Sequence, residues 1–138
     1  MITFYKDKEK RILNPTLFSD VAEKLADNIY KSGLQTKRGG GPKLEQNKRT
    51  QIRKFYDEVI RLNSLANNKT NPEEWDNILP YVNMLIAKAA YAEGRDHVSK
   101  EFTSFLKKCI GQIKDAKDMI VFTNFFEAFM GFYRKYGA

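Results

Sequence analysis

The chain has 138 residues, of which 42% are hydrophobic and 30% charged, so we expect one globular domain over residues 1–138 rather than a disordered chain. Its 24 lysines and arginines outnumber its 17 aspartates and glutamates, and its one cysteine excludes an intrachain disulfide and a CxxC metal site. No apolar run is long enough to span a bilayer. Residues 1–13 carry four basic side chains instead of the apolar core of a signal peptide, so we expect a cytoplasmic protein without membrane contact.

Hydrophobic periodicity predicts an all-α fold, a compact bundle of about five helices, and no strand-like alternation competes with it. Two Asn-Pro pairs mark helix starts, because asparagine caps a helix and proline is favoured at its first position. Pro80 is expected to interrupt or restart the third helix, since it removes a backbone donor. The predicted helices are Asn14 to Ser32, Asn47 or Thr50 to about Ala66, Asn71 to Gly94, about Val98 to Ile113, and one from about Asp118 onward.

Seven aromatic residues recur at helical spacing in the last helix: Phe122, Phe125, Phe126, Phe129, Phe132, Tyr133 and Tyr136. This spacing is typical of a face buried in the core or covered by a partner chain. Stacking of unpaired bases beside Arg134 and Lys135 is the alternative, and it stays open for Tyr133 and Tyr136.

Nearly all of the net charge of +7 lies in one segment. Between residues 35 and 54, seven basic side chains face a single acid, Glu45, which leaves a balance of only +1 for the rest of the chain. Residues 34–47 have no periodicity and contain Gly39-Gly40-Gly41-Pro42, so they are predicted to form a flexible basic linker. A solvated basic loop is the simpler interpretation, but the near absence of acids favours a polyanionic partner. The seven are Lys37, Arg38, Lys43, Lys48, Arg49, Arg53 and Lys54.

The sequence contains no recognisable catalytic or metal-binding motif. His97 is the only histidine, and Cys109 falls within an apolar helical stripe, where cysteine usually acts as a small hydrophobe. The acidic pairs Glu73-Glu74 and Asp115/Asp118 lie at helix starts, where the helix dipole accounts for them. We therefore expect a protein that is not an enzyme, with no catalytic residues, metal or cofactor; a small nuclease would need a metal or general base.

Phosphate contact with little sequence preference is the binding mode that this charge favours. Lys100, Lys107 and Lys114, spaced by seven residues, are predicted to share one face of the fourth helix, although a solvated polar face explains them as well. The weaker candidates for phosphate contact are Arg61, Lys100, Lys107 and Arg134. The alternative function is a helical scaffold or adaptor whose basic segment docks on an acidic protein.

The segment Thr50-Gln51-Ile52-Arg53-Lys54-Phe55-Tyr56, which follows the basic linker, resembles the small helical subunit of type III-A CRISPR effector (Csm) complexes. The short all-α chain, the stretch Asn77-Ile78-Leu79-Pro80-Tyr81 and the aromatic ending 129–136 support the likeness, which extends from about Phe18 onward.

The resemblance implies a non-catalytic subunit of an antiviral ribonucleoprotein that stacks in several copies along the guide RNA–target RNA duplex. Its partners would be guide RNA, target RNA, other subunits of the complex and further copies of itself. Arg53 and Lys54 lie within the matching segment, and Lys48 and Arg49 precede it directly. Lys37, Arg38 and Lys43 lie in the glycine-proline loop outside it.

Overall fold

The computed structural model describes residues 2–36, 39–70 and 73–136, which form five α-helices and two short antiparallel hairpins. The predicted all-α bundle is therefore confirmed as the dominant architecture. A five-residue π turn precedes α1, and a 3₁₀ turn follows α5. The bounds are β1 Tyr5–Asp7, β2 Ile12–Leu13, π turn Leu17–Val21, α1 Ala22–Ser32, β3 Leu34–Thr36, β4 Pro42–Leu44, α2 Arg49–Asn67, α3 Trp75–Gly94, α4 Lys100–Ile110, α5 Ala116–Tyr133 and 3₁₀ turn Arg134–Tyr136.

The aromatic face of α5 forms the centre of the core, as its spacing predicts. Helix α5 packs against α1 and α2, and α4 packs against α3. Phe105 of α4 inserts its ring among Phe122, Phe125, Phe126 and Phe129, with ring centroids 5.6 to 6.4 Å apart. Such tilted and edge-on pairs add to the stabilisation that burial of the rings provides.

The two C-terminal tyrosines, Tyr133 and Tyr136, also belong to the packed structure. Tyr133 is fully buried and donates a hydrogen bond from its hydroxyl to the carbonyl oxygen of Asn47, 2.6 Å away. Tyr136 stacks on Tyr30 with a centroid distance of 4.3 Å and donates to Asp27. These contacts hold the C-terminal turn on α1, with the Tyr133 ring buried and one face of the Tyr136 ring covered by Tyr30.

The two hairpins correct the prediction that no strand competes with helix. β1 pairs with β2, and β3 pairs with β4 in the register Leu34↔Leu44 within the predicted linker. Strands of two or three residues are too short to show an alternating pattern, so their pairing could not be detected by periodicity. The first hairpin brings Phe4 into the core, where it is fully buried.

A close approach at Gly33 joins the second hairpin to the end of α1. The carbonyl oxygen of Gly33 accepts hydrogen bonds from the backbone N–H groups of Glu45 and Gln46. A Cβ at this position would lie 2.3 Å from the carbonyl oxygen of Gln46, so only glycine fits here without displacement of the backbone. The linker is thus attached to the helical body at the base of the hairpin.

Helix α3 runs without a break through Pro80, contrary to the predicted interruption. Pro80 is exposed in the second turn, while Ile78 and Val82 on either side are buried and hold both segments against the core. The helix begins at Trp75 with Glu74 as its N-cap residue. The predicted start at Asn71-Pro72 lies outside the described residues.

Candidate nucleic-acid interface

The first two turns of α2 carry a group of basic side chains that we call the α2 cluster: Lys48, Arg49, Arg53 and Lys54. Lys48 is the N-cap residue, and it is exposed together with Arg53 and Lys54, while Arg49 is half-buried. The helix forms here because its opposite face buries an apolar stripe against α5 and α3. That stripe comprises Ile52, Phe55, Val59, Leu62 and Ala66.

The α2 cluster is only weakly neutralised by its own fold. Arg53 lies 3.8 Å from a carboxylate oxygen of Asp57, and both side chains are largely exposed, where such a pair contributes little. Lys54 approaches the amide oxygen of Gln51 at 3.5 Å. Within residues 2–36, 39–70 and 73–136, no carboxylate forms an ion pair with Lys48, Arg49 or Lys54.

The helix dipole adds to this positive charge. The first turn of α2 contains no acidic residue, and Lys48 makes no capping hydrogen bond with its side chain. Helices are normally stabilised by acids at this end, whereas basic side chains near the partial positive charge of the N-terminus are unfavourable. The chain therefore bears an electrostatic cost that a bound anion would relieve.

Asn47 fixes the start of α2 to three other parts of the fold. It is fully buried in a left-handed conformation, φ 61°. Its Nδ2 donates to the carbonyl oxygen of Ile29 at 2.9 Å and to Oγ of Ser99 at 2.8 Å, and its Oδ1 accepts from the Ser99 backbone N–H at 2.8 Å. With the bond from Tyr133, this network joins α2 to α1, α4 and α5.

Sequence reasoning placed Asn47 near a helix start but missed its anchoring role. The available signal was the residue type, because asparagine adopts the left-handed region more readily than other non-glycine residues. Since Lys48 and Arg49 follow directly, the network determines where the α2 cluster points.

The remaining loop candidates are only partly placed. Lys43 is exposed in the middle of β4, opposite Gln35 of β3, so it is carried by a hairpin rather than by a linker without structure. Lys37 and Arg38 lie outside the described residues.

The weaker candidates are dispersed over other surfaces. Arg61 lies 2.6 Å from Glu58, which also pairs with Lys88 of α3, so its charge is more strongly balanced than that of the α2 cluster. Lys100 lines a groove of about 590 Å³ between α1 and α4, and no described residue of α2 lines it. Lys107 is exposed on α4, and Arg134 is exposed in the final 3₁₀ turn. Because α4 ends at Ile110, Lys114 does not extend a helical face with Lys100 and Lys107.

The cysteine that was considered as a nucleophile belongs to the hydrophobic core. Cys109 is fully buried in the apolar core, and burial raises the pKa of its thiol well above the ordinary range. The side chain therefore packs as a small hydrophobic group. The described residues contain no group of three or more His, Cys, Asp or Glu side chains arranged to hold a metal ion.

The acids at the start of α5 hold the N-terminal hairpin. Asp118 is buried and accepts hydrogen bonds from the Tyr5 hydroxyl at 2.5 Å and from the Lys114 backbone N–H at 2.9 Å. Arg11 pairs with both Asp118 and Asp115. Asp115 also caps α5 by accepting from the Asp118 backbone N–H, which agrees with the predicted role at a helix start.

Within the described ranges, every helix is too short or too polar to span a bilayer.

Comparison with known proteins identifies one family. No curated protein and no solved structure matches the chain. The model of the Csm2 Type III-A family matches residues 12–138. The match covers nearly the whole chain, which therefore belongs to the Csm2 Type III-A family, a small subunit of the type III-A CRISPR effector complex.

Proposed function

We propose that this chain is a non-catalytic RNA-binding subunit that contacts the target strand, or the guide RNA–target RNA duplex, through its phosphates. The single observation that carries the proposal is the α2 cluster, in which four basic side chains gather at a helix N-terminus with little neutralisation. Lysine and arginine gain affinity for RNA by replacing condensed counterions, which requires no sequence reading. The function therefore suits a subunit that must accept any target sequence.

The rigidity of the site supports the proposal. Arg49, Arg53 and Lys54 lie on a 19-residue helix whose start is held by the buried Asn47 network. Preformed positions reduce the ordering entropy that binding would otherwise cost. Lys43 is exposed on β4, five residues before Lys48, and we assign it a supporting phosphate contact together with Lys37 and Arg38.

We assign the weaker candidates to secondary contacts or to none. The charge of Arg61 is offset by its ion pair with Glu58, and Lys100, Lys107 and Arg134 lie on other elements. Contact with neighbouring copies along a filament would use exposed apolar side chains. Ile12 and Phe18 at the N-terminal end of the bundle are available for such packing.

The decisive experiment compares two variants that lose the same charge. R53A/K54A removes two members of the α2 cluster, whereas K8A/K10A removes two exposed lysines from the loop of the first hairpin. Binding of a single-stranded RNA is measured as a function of salt concentration. Each phosphate contact contributes about 0.7 to the slope of log K against log salt on single strands, so R53A/K54A should reduce the slope by about 1.4.

The control variant is expected to keep the wild-type slope. Equal slopes and affinities for wild type and R53A/K54A would contradict the proposal. Equal losses in both variants would also contradict it, because the effect would then follow net charge and not the α2 cluster.

A further inference from the structure

One face of α3 exposes a row of aromatic, apolar and basic side chains. We call this face the α3 stripe: Tyr81, Met84, Lys88, Tyr91 and Arg95. Tyr81, Met84 and Tyr91 are 55%, 46% and 67% exposed, and Lys88 and Arg95 are exposed as well. At 100° per residue, the four helical positions fall within an arc of about 80°, and Arg95 follows the helix directly as its C-cap residue. They therefore form a single surface along the helix.

The exposure of these side chains is not a general property of the surface. Among the described residues, seven large hydrophobic side chains are exposed, and three of them belong to the α3 stripe. A separate face of α3, centred about 100° from the stripe, buries five apolar residues in the core. Contiguous exposed aromatic and apolar surface usually marks an interaction site.

The tyrosine at the C-terminal end of the stripe is held in place by a cation. Arg95 donates from Nη1 to the Tyr91 hydroxyl at 3.1 Å, and its guanidinium carbon lies 5.8 Å from the ring centroid. This contact orients an exposed ring without burying it. A positively charged group beside an aromatic face is the arrangement that single-strand binders use, with the ring stacking on a base and the cation approaching a phosphate.

The stripe is continuous with the basic side of α2. Glu58 of α2 accepts an ion pair from Lys88 of α3 at 3.5 Å and from Arg61 of α2 at 2.6 Å. Lys88 of the stripe thus borders the helix that carries the α2 cluster, and Glu58 is the acid between Lys88 and Arg61. An acidic or purely apolar protein partner would not need this mixture of aromatic rings and cations, which suits nucleotides.

We infer that the α3 stripe is a base-stacking surface for single-stranded RNA, an inference that rests on the proposed RNA-binding function. Tyr81 and Tyr91 each receive a base, and Lys88 and Arg95 approach the intervening phosphates. The two tyrosines are ten residues apart, which corresponds to about 15 Å along the helix, a span of several nucleotides. The α2 cluster binds phosphates alone, whereas the stripe recognises the presence of bases without distinguishing among them.

The test uses two RNA strands of equal length and charge, an oligouridylate and an abasic strand with the same phosphates. Wild type is expected to bind oligouridylate about tenfold more tightly than the abasic strand, a difference of about 1.4 kcal/mol. Y81A/Y91A should lose this preference and keep the wild-type affinity for the abasic strand. Y81F/Y91F retains both rings and should retain the preference.

A matched control removes exposed apolar side chains elsewhere. I60A/I120A changes one residue of α2 and one of α5, both similarly exposed, and is expected to behave as wild type. A tenfold preference that survives in Y81A/Y91A would overturn the inference. Loss of the preference in I60A/I120A to the same extent would overturn it too.

The outcomes for this inference and for the proposed function are separate. If wild type binds both strands equally, with a salt slope that falls in R53A/K54A, the phosphate-binding function stands and base stacking is refuted; the stripe is then a face for a protein partner. If wild type binds neither strand, both proposals fail.

Discussion

Replacement of Asn47 by alanine should destabilise the fold far more than its small change in volume suggests. The substitution removes the two Nδ2 hydrogens, for which the Ile29 carbonyl oxygen and the Ser32 and Ser99 hydroxyls are the acceptors within reach, and it removes the acceptor for the Ser99 backbone N–H. Ser32 and Ser99 can still pair with each other through their hydroxyls at 2.8 Å, and the Ile29 carbonyl keeps its bond to Ser32. In the variant, however, the buried Ser99 N–H is left without its acceptor.

The magnitude follows from two contributions. An unsatisfied buried N–H costs about 1–3 kcal/mol. Alanine at a left-handed position, where φ is 61°, costs roughly 1–2 kcal/mol more. We expect the free energy of unfolding to fall by about 3 kcal/mol.

Urea unfolding followed by far-ultraviolet circular dichroism measures this change. With an m value of about 1.5 kcal/mol/M, the midpoint should fall by roughly 2 M. Asn124→Ala, at an exposed position of α5, is the matched control and should stay within about 0.5 kcal/mol of wild type. If Asn47→Ala costs no more than this control, the Asn47 network does not anchor α2 and the argument is refuted.

Three further predictions concern stability, each measured by urea unfolding. Asp118→Ala removes the acceptor for three hydrogen bonds at a buried position and should cost about 3 kcal/mol; a loss below 1 kcal/mol would contradict its structural role. Burial raises the pKa of the Tyr133 hydroxyl, so its contribution to the free energy of unfolding is complete below pH 10 and decreases as the pH rises above that value. Tyr133→Phe should therefore flatten the alkaline decline in stability, and an unchanged decline would contradict this expectation. The hydrogen bond to Arg11 lowers the pKa of Asp115, so the stability that this carboxylate contributes is lost as the pH falls below 3.8. Arg11→Ala should weaken this dependence of stability on acid pH, and an identical dependence in the variant would refute the link between Arg11 and Asp115.

The helices could be predicted from sequence because their signal is local and repeated. The apolar spacing of α2 places its end within one residue of the observed Asn67, and the aromatic stripe of α5 is the observed core. The hairpins could not be predicted in this way, because each depends on pairing across a turn and on one close contact, such as that at Gly33. The lost backbone donor of Pro80 predicts a break in α3, but the packing of Ile78 and Val82 against the core keeps the helix continuous.

The candidate site was found only in part for the same reason. A count of charges locates the basic segment, and the pairing of Arg53 with Asp57 is visible as an i,i+4 spacing. The balance at Arg61 involves Glu58, which Lys88 reaches from a different helix, and such a contact requires the fold. The anchoring of α2 by Asn47 depends on Ser99, 52 residues away, so no local pattern contains it.

Site-specific photocross-linking tests the central claim most directly. In one protein a photoreactive amino acid replaces Thr50, which is exposed and lies between Arg49 and Arg53 in the sequence. In a second protein it replaces Lys10 of the first hairpin loop. Each protein is irradiated with the same single-stranded RNA at low salt. Position 50 should give a strong RNA adduct that disappears as salt is raised, and position 10 should give little. Cross-linking at position 10 that equals or exceeds that at position 50 would contradict RNA binding by the α2 cluster.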